Sequence, residues 1–540
     1  MRILFLYPNF GGYGKIPVGM ALLMTILKNE GHTIELFDVS FIIADHNFND
    51  EQLEIVGAAK ETDTSHLFDY HTHDEIDDLL VSKVKNFSPD LVASTIVEDN
   101  YKYCHRLLKI IKTIDPEIPT IVGGSTPSIA ASVVIENPYI DYLIQGEAEG
   151  PMSEFCSLME KNEDVTKTAS LWYKKNSYVH HNELAPLTNL DELPVMDWTW
   201  WDDAHLIKAY EGKLYRSGRI EMSRGCPQKC TYCINETWRN TFFETGSKLI
   251  RKKSVRRLID EVKFLKEEYN LEMFFFCDDN FLALTRDRMN EFRDLWRDEV
   301  DLPFWINTTL ESVTDWRLAA LSECGCAGIG IGLESGNEWF RNHILKRNTK
   351  NGNEILIETF NLIKQHGIRA TANAMIGFPG ETKADMFETI KMMKRIKPAS
   401  YDITFVAPYI GTPIHDLACS RGLIDVDTRP GFVNMDVNIG FRRGSVIRNP
   451  YVSEKDIQDI VSNFYDYVKG SMPIPDEFMV EAPGASETAP ERIESFEESQ
   501  FIDLVFDNVE KVKDQIRKSR KKKRYDTIPA SYIAGQDYDR

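Results

Sequence analysis

No stretch of this sequence stays apolar for the roughly 20 residues that a bilayer-spanning helix needs. The first apolar run, Ile3–Tyr7, passes directly into Pro8 and Asn9, without the apolar core and small-residue cleavage site of a secretion signal. Positive charge is also short. Lys and Arg number 63 against 84 Asp and Glu, for a net charge of −21, the wrong sign for gripping a phosphate backbone. The one basic run, Arg517–Arg524, reads as a solvated helix end. Cysteine is scarce and odd in number, nine in 540 residues, which excludes a disulfide scaffold. The expectation is a cytoplasmic chain with no membrane span and no nucleic-acid partner. Hydrophobic content of 42% marks it as globular, and its length calls for about two to four domains.

Residues 1–150 alternate short apolar runs with helical patterns. The runs are Ile3–Tyr7, Thr33–Val39, Leu91–Val97, Thr120–Val122 and Tyr142–Ile144. Helices are expected at Pro17–Asn29, Glu75–Lys85, Tyr101–Thr113 and Pro127–Glu136. That order predicts an α/β domain, a doubly wound parallel sheet with ligand loops at the strands' C-terminal ends. The loops there are small and polar: Asn9 to Gly14 with Gly12, Glu98-Asp99-Asn100, Gly123-Gly124-Ser125-Thr126, and Gln145-Gly146-Glu147. Residues 45–75 look like an inserted polar excursion. A linker and hairpin follow at 151–215. A second βα series over 216–420 has strands expected at Arg219–Ser223, Met273–Phe276, Phe304–Thr308, Gly328–Leu333, Ala370–Ile376 and Tyr401–Ala407, which predict a partial (β/α)6 barrel. Residues 421–540 are partly irregular, with a Pro-, Glu- and Ser-rich linker at Met472–Gln500 and a last helix over 500–520.

The densest chemistry is Met222-Ser223-Arg224-Gly225-Cys226-Pro227-Gln228-Lys229-Cys230-Thr231-Tyr232-Cys233, a C-x3-C-x2-C loop directly after an expected strand. Soft thiolates suit iron or zinc. A structural zinc site is closed by four ligands, and no fourth Cys or His stands nearby. Three thiolates on a four-iron cluster would leave one iron open to a ligand. The competing reading is a zinc loop completed by a distant residue such as Cys277. Cys104, Cys156, Cys324, Cys326 and Cys419 read as small buried residues.

The loop resembles the radical S-adenosylmethionine (SAM) signature, C-x3-C-x-aromatic-C, with Tyr232 as the aromatic. Further motifs in order resemble the same superfamily: Phe276-Cys277-Asp278-Asp279-Asn280-Phe281, Gly330 to Gly336 with Glu334-Ser335, Lys346-Arg347-Asn348-Thr349, Met375 to Thr382 with Gly377, and Pro408 to Pro413. The resemblance implies a [4Fe-4S] cluster on Cys226, Cys230 and Cys233. It implies SAM chelated at the open iron, with Tyr232, Asp278, Asp279, Glu334, Ser335, Arg347 and Gly377 around it. It also implies reduction by a partner such as flavodoxin or ferredoxin, and a radical that abstracts a substrate hydrogen. Asn307-Thr308-Thr309 departs from the pattern, standing where many relatives carry an Arg.

In the first domain the dinucleotide fingerprint fails, because Pro17 holds its last glycine position. Its place before the barrel resembles the cobalamin-binding radical SAM enzymes, including the methyltransferases called class B. That implies a Rossmann-like cobalamin domain, contacted through Gly12, Gly123, Gly124, Ser125, Gly146 and Glu147. The cobalt-ligating D-x-H-x-x-G loop of other cobalamin proteins is absent. Asp69-Tyr70-His71-Thr72-His73-Asp74 is a near match in the wrong place. The expected activity is cobalamin-dependent methylation of an unactivated carbon in a small molecule or peptide. The alternatives are cyclisation or ring rearrangement on the same cofactors, and a non-catalytic cobalamin or cluster sensor, which would have no need of the SAM motifs. A methylthiotransferase is disfavoured, since Cys104 is alone before residue 150. No catalytic residue is assigned beyond these cofactor contacts.

Overall fold

A computed structural model describes residues 1–9, 14–41, 71–347, 352–424, 445–479 and 528–529. Gly12, Asp69, Tyr70, the basic run and the expected last helix lie outside the described residues.

The apolar runs at the start of the chain become strands β1 (Arg2–Tyr7), β2 (Thr33–Asp38), β3 (Leu91–Thr95), β4 (Thr120–Gly123) and β5 (Tyr142–Ile144). They pair in parallel in the order β5-β4-β3-β1-β2. The order reverses between β3 and β1, the point at which doubly wound sheets open a ligand crevice. All four expected helices are present, at Val18–Asn29, His73–Phe87, Tyr101–Ile114 and Ser125–Val134. The second starts two residues earlier than expected for a local reason. The Thr72 hydroxyl accepts the Glu75 N–H at 3.3 Å while the Glu75 carboxylate accepts the Thr72 N–H at 2.7 Å, a capping box. The sheet does not stop near residue 150. Strands β6 (Leu171–Lys175) and β7 (Tyr178–His181) form a hairpin added antiparallel to β5, and Ile528–Pro529 pairs with β7.

The second sheet is entered through a hairpin, β8 (Ile207–Tyr210) and β9 (Lys213–Ile220). A two-residue pair follows, β10 (Ser223–Arg224) with β11 (Arg251–Lys252). Then come β12 (Met273–Phe276), β13 (Phe304–Thr308), β14 (Cys326–Glu334), β15 (Arg369–Ile376) and β16 (Ser400–Phe405). The six strands from β9 to β16 are parallel and sequential, with β8 antiparallel on the edge. β8 and β16 do not pair, so the barrel stays open. Between strands and helices lies an aromatic core: Phe276, Phe281, Phe292, Trp296 and Phe304 are all at most 1% exposed, with Phe276 and Phe281 centroids 4.7 Å apart. Each such side chain contributes about 1.5–3 kcal/mol by burial, which fixes the β12 and β13 ends from behind. No described helix is long and apolar enough to cross a membrane.

Candidate active site at the seam between the two sheets

The cysteine loop is shaped before any ligand arrives. Gly225 has φ +91°, and a Cβ there would meet the Leu249 carbonyl at 2.6 Å, so only glycine turns the chain here without strain. Cys226 and Cys230 are buried and Cys233 is partly so, at the N-cap of helix Ile234–Phe242. From that helix Arg239 reaches back and donates to the carbonyls of Cys226 and Gln228, each at 2.7 Å. On the other side Thr231 donates through its hydroxyl to Ile344 O at 2.8 Å, and its carbonyl accepts Ile414 N–H at 3.0 Å. The Asn235 amide lies 3.6 Å from the Cys233 sulfur and donates to Asp279 at 3.0 Å. Burial pushes all three thiols up, Cys233 to about 12; bound iron reverses that logic. Among the described residues no three His, Cys, Asp or Glu side chains converge as around one ion. An iron–sulfur cluster places its thiolates on separate irons, so three preshaped thiols on a pinned loop suit it better than a single zinc. Cys277, the alternative zinc ligand, stands at the end of β12 and is exposed. Cys104, Cys156, Cys324 and Cys326 are buried, while Cys419 is half-buried beside His415.

Above this loop three side chains interlock. Arg347 donates to Glu334 Oε1 at 3.1 Å and to the Tyr232 hydroxyl at 3.2 Å. Glu334 takes φ +66° at the end of β14. A Cβ on Gly332 would come within 2.1 Å of its carboxylate, so the glycine is what lets the Glu334 carboxylate fold back over the strand. Burial raises the Glu334 carboxyl, and the Arg347 guanidinium opposes that. Among the described residues Arg347 Nη2 is buried without a hydrogen-bond partner, a donor at a site that a carboxylate would satisfy. Next to it, Gly377 and Phe378 donate their N–H groups to Glu381 at 2.6 and 3.0 Å, closing the loop after β15.

Below the loop, between the two sheets, lies a cavity of about 360 Å³. Its first-sheet wall is made of Gly123, Gly124, Ser125, Gly146 and Glu147, and its barrel wall includes Arg224, Gly225, Asn235 and Asp279. Gly124 has φ +113°, and a Cβ would meet Ile96 O at 2.6 Å. At Gly146 a Cβ would meet the Phe242 ring at 2.2 Å. The Ser128 hydroxyl ties the two loops, donating to Gly124 O at 2.6 Å and accepting Gly146 N–H at 3.2 Å. An ion network crosses the seam beside them. Arg224 lies 2.7 Å from Glu149, 3.1 Å from Glu147 and 2.7 Å from Glu221, and Arg251 pairs with Glu147 at 2.5 Å. Burial would raise the Glu147 carboxyl, but the two arginines hold it below its usual range. A second junction joins the sheets further along. The Ile410 N–H donates to the buried Glu98 at 3.0 Å, and the Tyr409 hydroxyl lies 3.5 Å from Asp99.

The residues picked out by motif therefore divide. Tyr232, Glu334 and Arg347 touch one another. Asp279 lines the cavity and holds the cysteine loop, accepting Gly225 N–H at 3.0 Å. Asp278 does not face a ligand space. It is fully buried, accepting Met222 N–H and the Ser223 hydroxyl, and burial lifts its carboxyl to about 7; it pins β12 to the strand before the cysteines. Ser335 is fully buried and its hydroxyl accepts Asn337 N–H at 3.2 Å. Glu147 is spent on arginines. Motif reading missed Arg224, Glu149, Arg251 and Asn235. Arg224 lies inside the cysteine stretch and Glu149 two residues beyond the Gln145-Gly146-Glu147 loop, but their pairing spans 75 residues of chain.

A doubly wound sheet facing an open six-stranded barrel, with a three-cysteine loop on the first barrel strand, defines a cobalamin-binding radical SAM enzyme. The model of the Radical SAM superfamily matches residues 220–393 and that of the B12 binding domain matches residues 12–156. The chain thus carries both a radical SAM domain and a B12 binding domain, and these imply a [4Fe-4S] cluster, SAM and cobalamin as cofactors. Among particular proteins, it is similar to an uncharacterized methyltransferase of Pyrococcus horikoshii, at 26% identity over 63% of this chain and 72% of the relative. It is also similar to the cytidylyl-2-hydroxyethylphosphonate methyltransferase of Streptomyces wedmorensis (24%, over 76% and 79%). A third is the anaerobic magnesium-protoporphyrin IX monomethyl ester cyclase of Rubrivivax gelatinosus (24%, over 77% and 69%). The fold is that of the radical SAM methyltransferase TsrM from Kitasatospora setae, solved with cobalamin and a [4Fe-4S] cluster, at TM-score 0.58 and 16% identity over 78% of this chain and 75% of that one.

Proposed function

We propose that this chain cleaves SAM reductively at a cluster held by Cys226, Cys230 and Cys233, and that it methylates an unactivated carbon with the help of cobalamin. The observation that carries the reading is the shared cavity. Its one wall is the glycine loops after β4 and β5 of the first sheet, and its other wall is the shoulder of the cysteine loop. When bound, the cluster supplies an electron and cobalamin a transferable methyl group. The protein's part is to hold and orient. Arg347, braced by Glu334 and Tyr232, offers its free Nη2 to the SAM carboxylate. Gly123, Gly124 and Gly146 let a flat ring system approach the backbone, and Glu147, engaged by two arginines, fixes the rim. With no histidine at the β1 loop, bound cobalamin would receive no imidazole from that loop. A small molecule or peptide is the substrate and an electron carrier such as flavodoxin or ferredoxin the reductant. The relatives' names carry phosphonate and porphyrin ester substrates.

The test is an anaerobic reconstitution with iron, sulfide and hydroxocobalamin. Reduction with SAM should release 5′-deoxyadenosine, and methyl-labelled SAM should label the bound cobalamin. The variant with Cys226, Cys230 and Cys233 all changed to Ala should hold no iron; iron retained there overturns the site. The cobalt(II) form should show no axial nitrogen splitting in its electron paramagnetic spectrum, and a splitting lost in His71→Ala would overturn that ligation. A second reading, ring closure without methyl transfer, is favoured by the cyclase that matches 77% of the chain. It predicts 5′-deoxyadenosine without labelled cobalamin. A protein that retains no cobalamin would remove both.

A further inference from the structure

Alternation along strands decides which side chains face the barrel's hollow. Register places Arg219 of β9 level with Phe275 of β12, and Phe275 level with Trp305 of β13. Two residues on, the same face carries Cys277 and Asn307. Both are exposed, although Phe276 and Ile306 beside them are at most 1% exposed. Central strands packed on one face and open on the other border an interior space. Its floor is aromatic and flat: Phe275 and Trp305 are stacked with centroids 6.5 Å apart. The Trp305 ring lies across Gly328, where a Cβ would come within 2.2 Å of it.

Arg219 stands beside this floor, level with Phe275 on the neighbouring strand and half-buried, while the Lys208 ammonium lies 5.9 Å from the Phe275 ring centroid. The neighbours of Arg219 are the Cys277 thiol and, across the seam, the Tyr7 phenol. Among the described residues Arg219 makes no ion pair, unlike Arg216 on the same strand with Asp203 at 2.7 Å, or Arg224 and Arg347 with their glutamates. In a chain of net charge −21 an interior guanidinium left without a carboxylate is a vacant anion partner. Arg suits that role because its planar fork meets a carboxylate or phosphate with two hydrogen bonds and is less tightly hydrated than an ammonium.

We propose that Arg219 anchors an anionic group of the substrate, carboxylate or phosphate class, while an apolar or aromatic body rests on Phe275 and Trp305. This deepens the function proposed above and rests on it only in taking the occupant to be the substrate. An anion on Arg219 covers the adjacent Cys277 thiol, and that gives a readout independent of turnover. In the reconstituted protein, alkylation of Cys277 by iodoacetamide is followed by peptide mass spectrometry with phenylacetate, phenylphosphonate or neutral phenylacetamide present. The expected result is several-fold protection by at least one anion and none by the amide; which anion protects separates carboxylate from phosphate. Arg219→Gln should abolish the protection while Cys277 still reacts, and Arg219→Lys should restore part of it. Equal protection by the amide, protection that survives in Arg219→Gln, or no protection by either anion overturns the proposal. Release of 5′-deoxyadenosine from the same preparation reports separately on the SAM reading.

Discussion

The two sheets meet at their C-terminal ends and finish those ends in opposite ways. The first withdraws its side chains around the cavity: Gly123, Gly124 and Gly146 leave bare backbone, and the acid next to Gly146, Glu147, is engaged by two arginines. The second brings side chains forward, with Tyr232, Glu334 and Arg347 braced on one another and one donor left over. A broad flat ligand is accommodated by removing matter, a small zwitterion by placing opposite charges. The contrast shows that strand-end chemistry, more than the shared parallel-sheet scaffold, decides what each half can hold.

The sharpest way to break this contrast is to uncouple the two ends. Arg224→Ala strands Glu149 and Glu221 in the seam, with Glu147 still held by Arg251, and should lower stability by about 3–5 kcal/mol in denaturant unfolding. Arg216→Ala, on an exposed pair, should cost about 1 kcal/mol or less. A smaller effect is expected from filling the bare end. Gly124→Ala forces a side chain onto φ +113° and should cost about 1–3 kcal/mol with loss of retained cobalamin. Gly150→Ala, with open space around it, should keep both.

The second junction gives a pH-dependent version. Burial raises Glu98 to about 8 and Asp99 to about 6. Their folded forms bind protons more tightly than the unfolded chain, so their stabilising contribution is full below about pH 4 and fades as pH rises through about 6 to 8. Glu98→Gln should flatten the fall in melting temperature across that range; an unchanged slope would mean Glu98 is already ionised. The smallest effect belongs to Asn235. Its Ala variant removes a side-chain donor near the Cys233 sulfur and should lower the cluster's midpoint potential by roughly tens of millivolts, read by redox titration.

Much of this was legible in the sequence because it is local. Apolar runs fix the eleven parallel strands to within a few residues, save that β9 begins at Lys213, where the hairpin with β8 carries the pairing earlier than its apolar part. The cysteine spacing marked the loop outright. What was hidden depends on contacts distant in sequence. The β6–β7 hairpin reads as part of a linker, and only its pairing with β5 makes it part of the first sheet. Asp278 and Asp279 are indistinguishable as letters. Alternation at the end of β12 turns one into the core and the other toward the cavity. Arg219 looked like an ordinary strand residue, since an unpaired charge is visible only when its surroundings are.

The seam network also sets an order of assembly. Glu147 leaves the ribosome 104 residues ahead of Arg251, an interval of roughly 5 to 20 seconds at ordinary synthesis rates. Strands β1 to β7 of the first sheet can pair in that time with their rim acids still bare to water. When Arg224 arrives it is drawn to them two residues before Cys226 appears. The nascent cysteine loop then meets strands that have had time to pair, which lets the N-terminal half serve as its template.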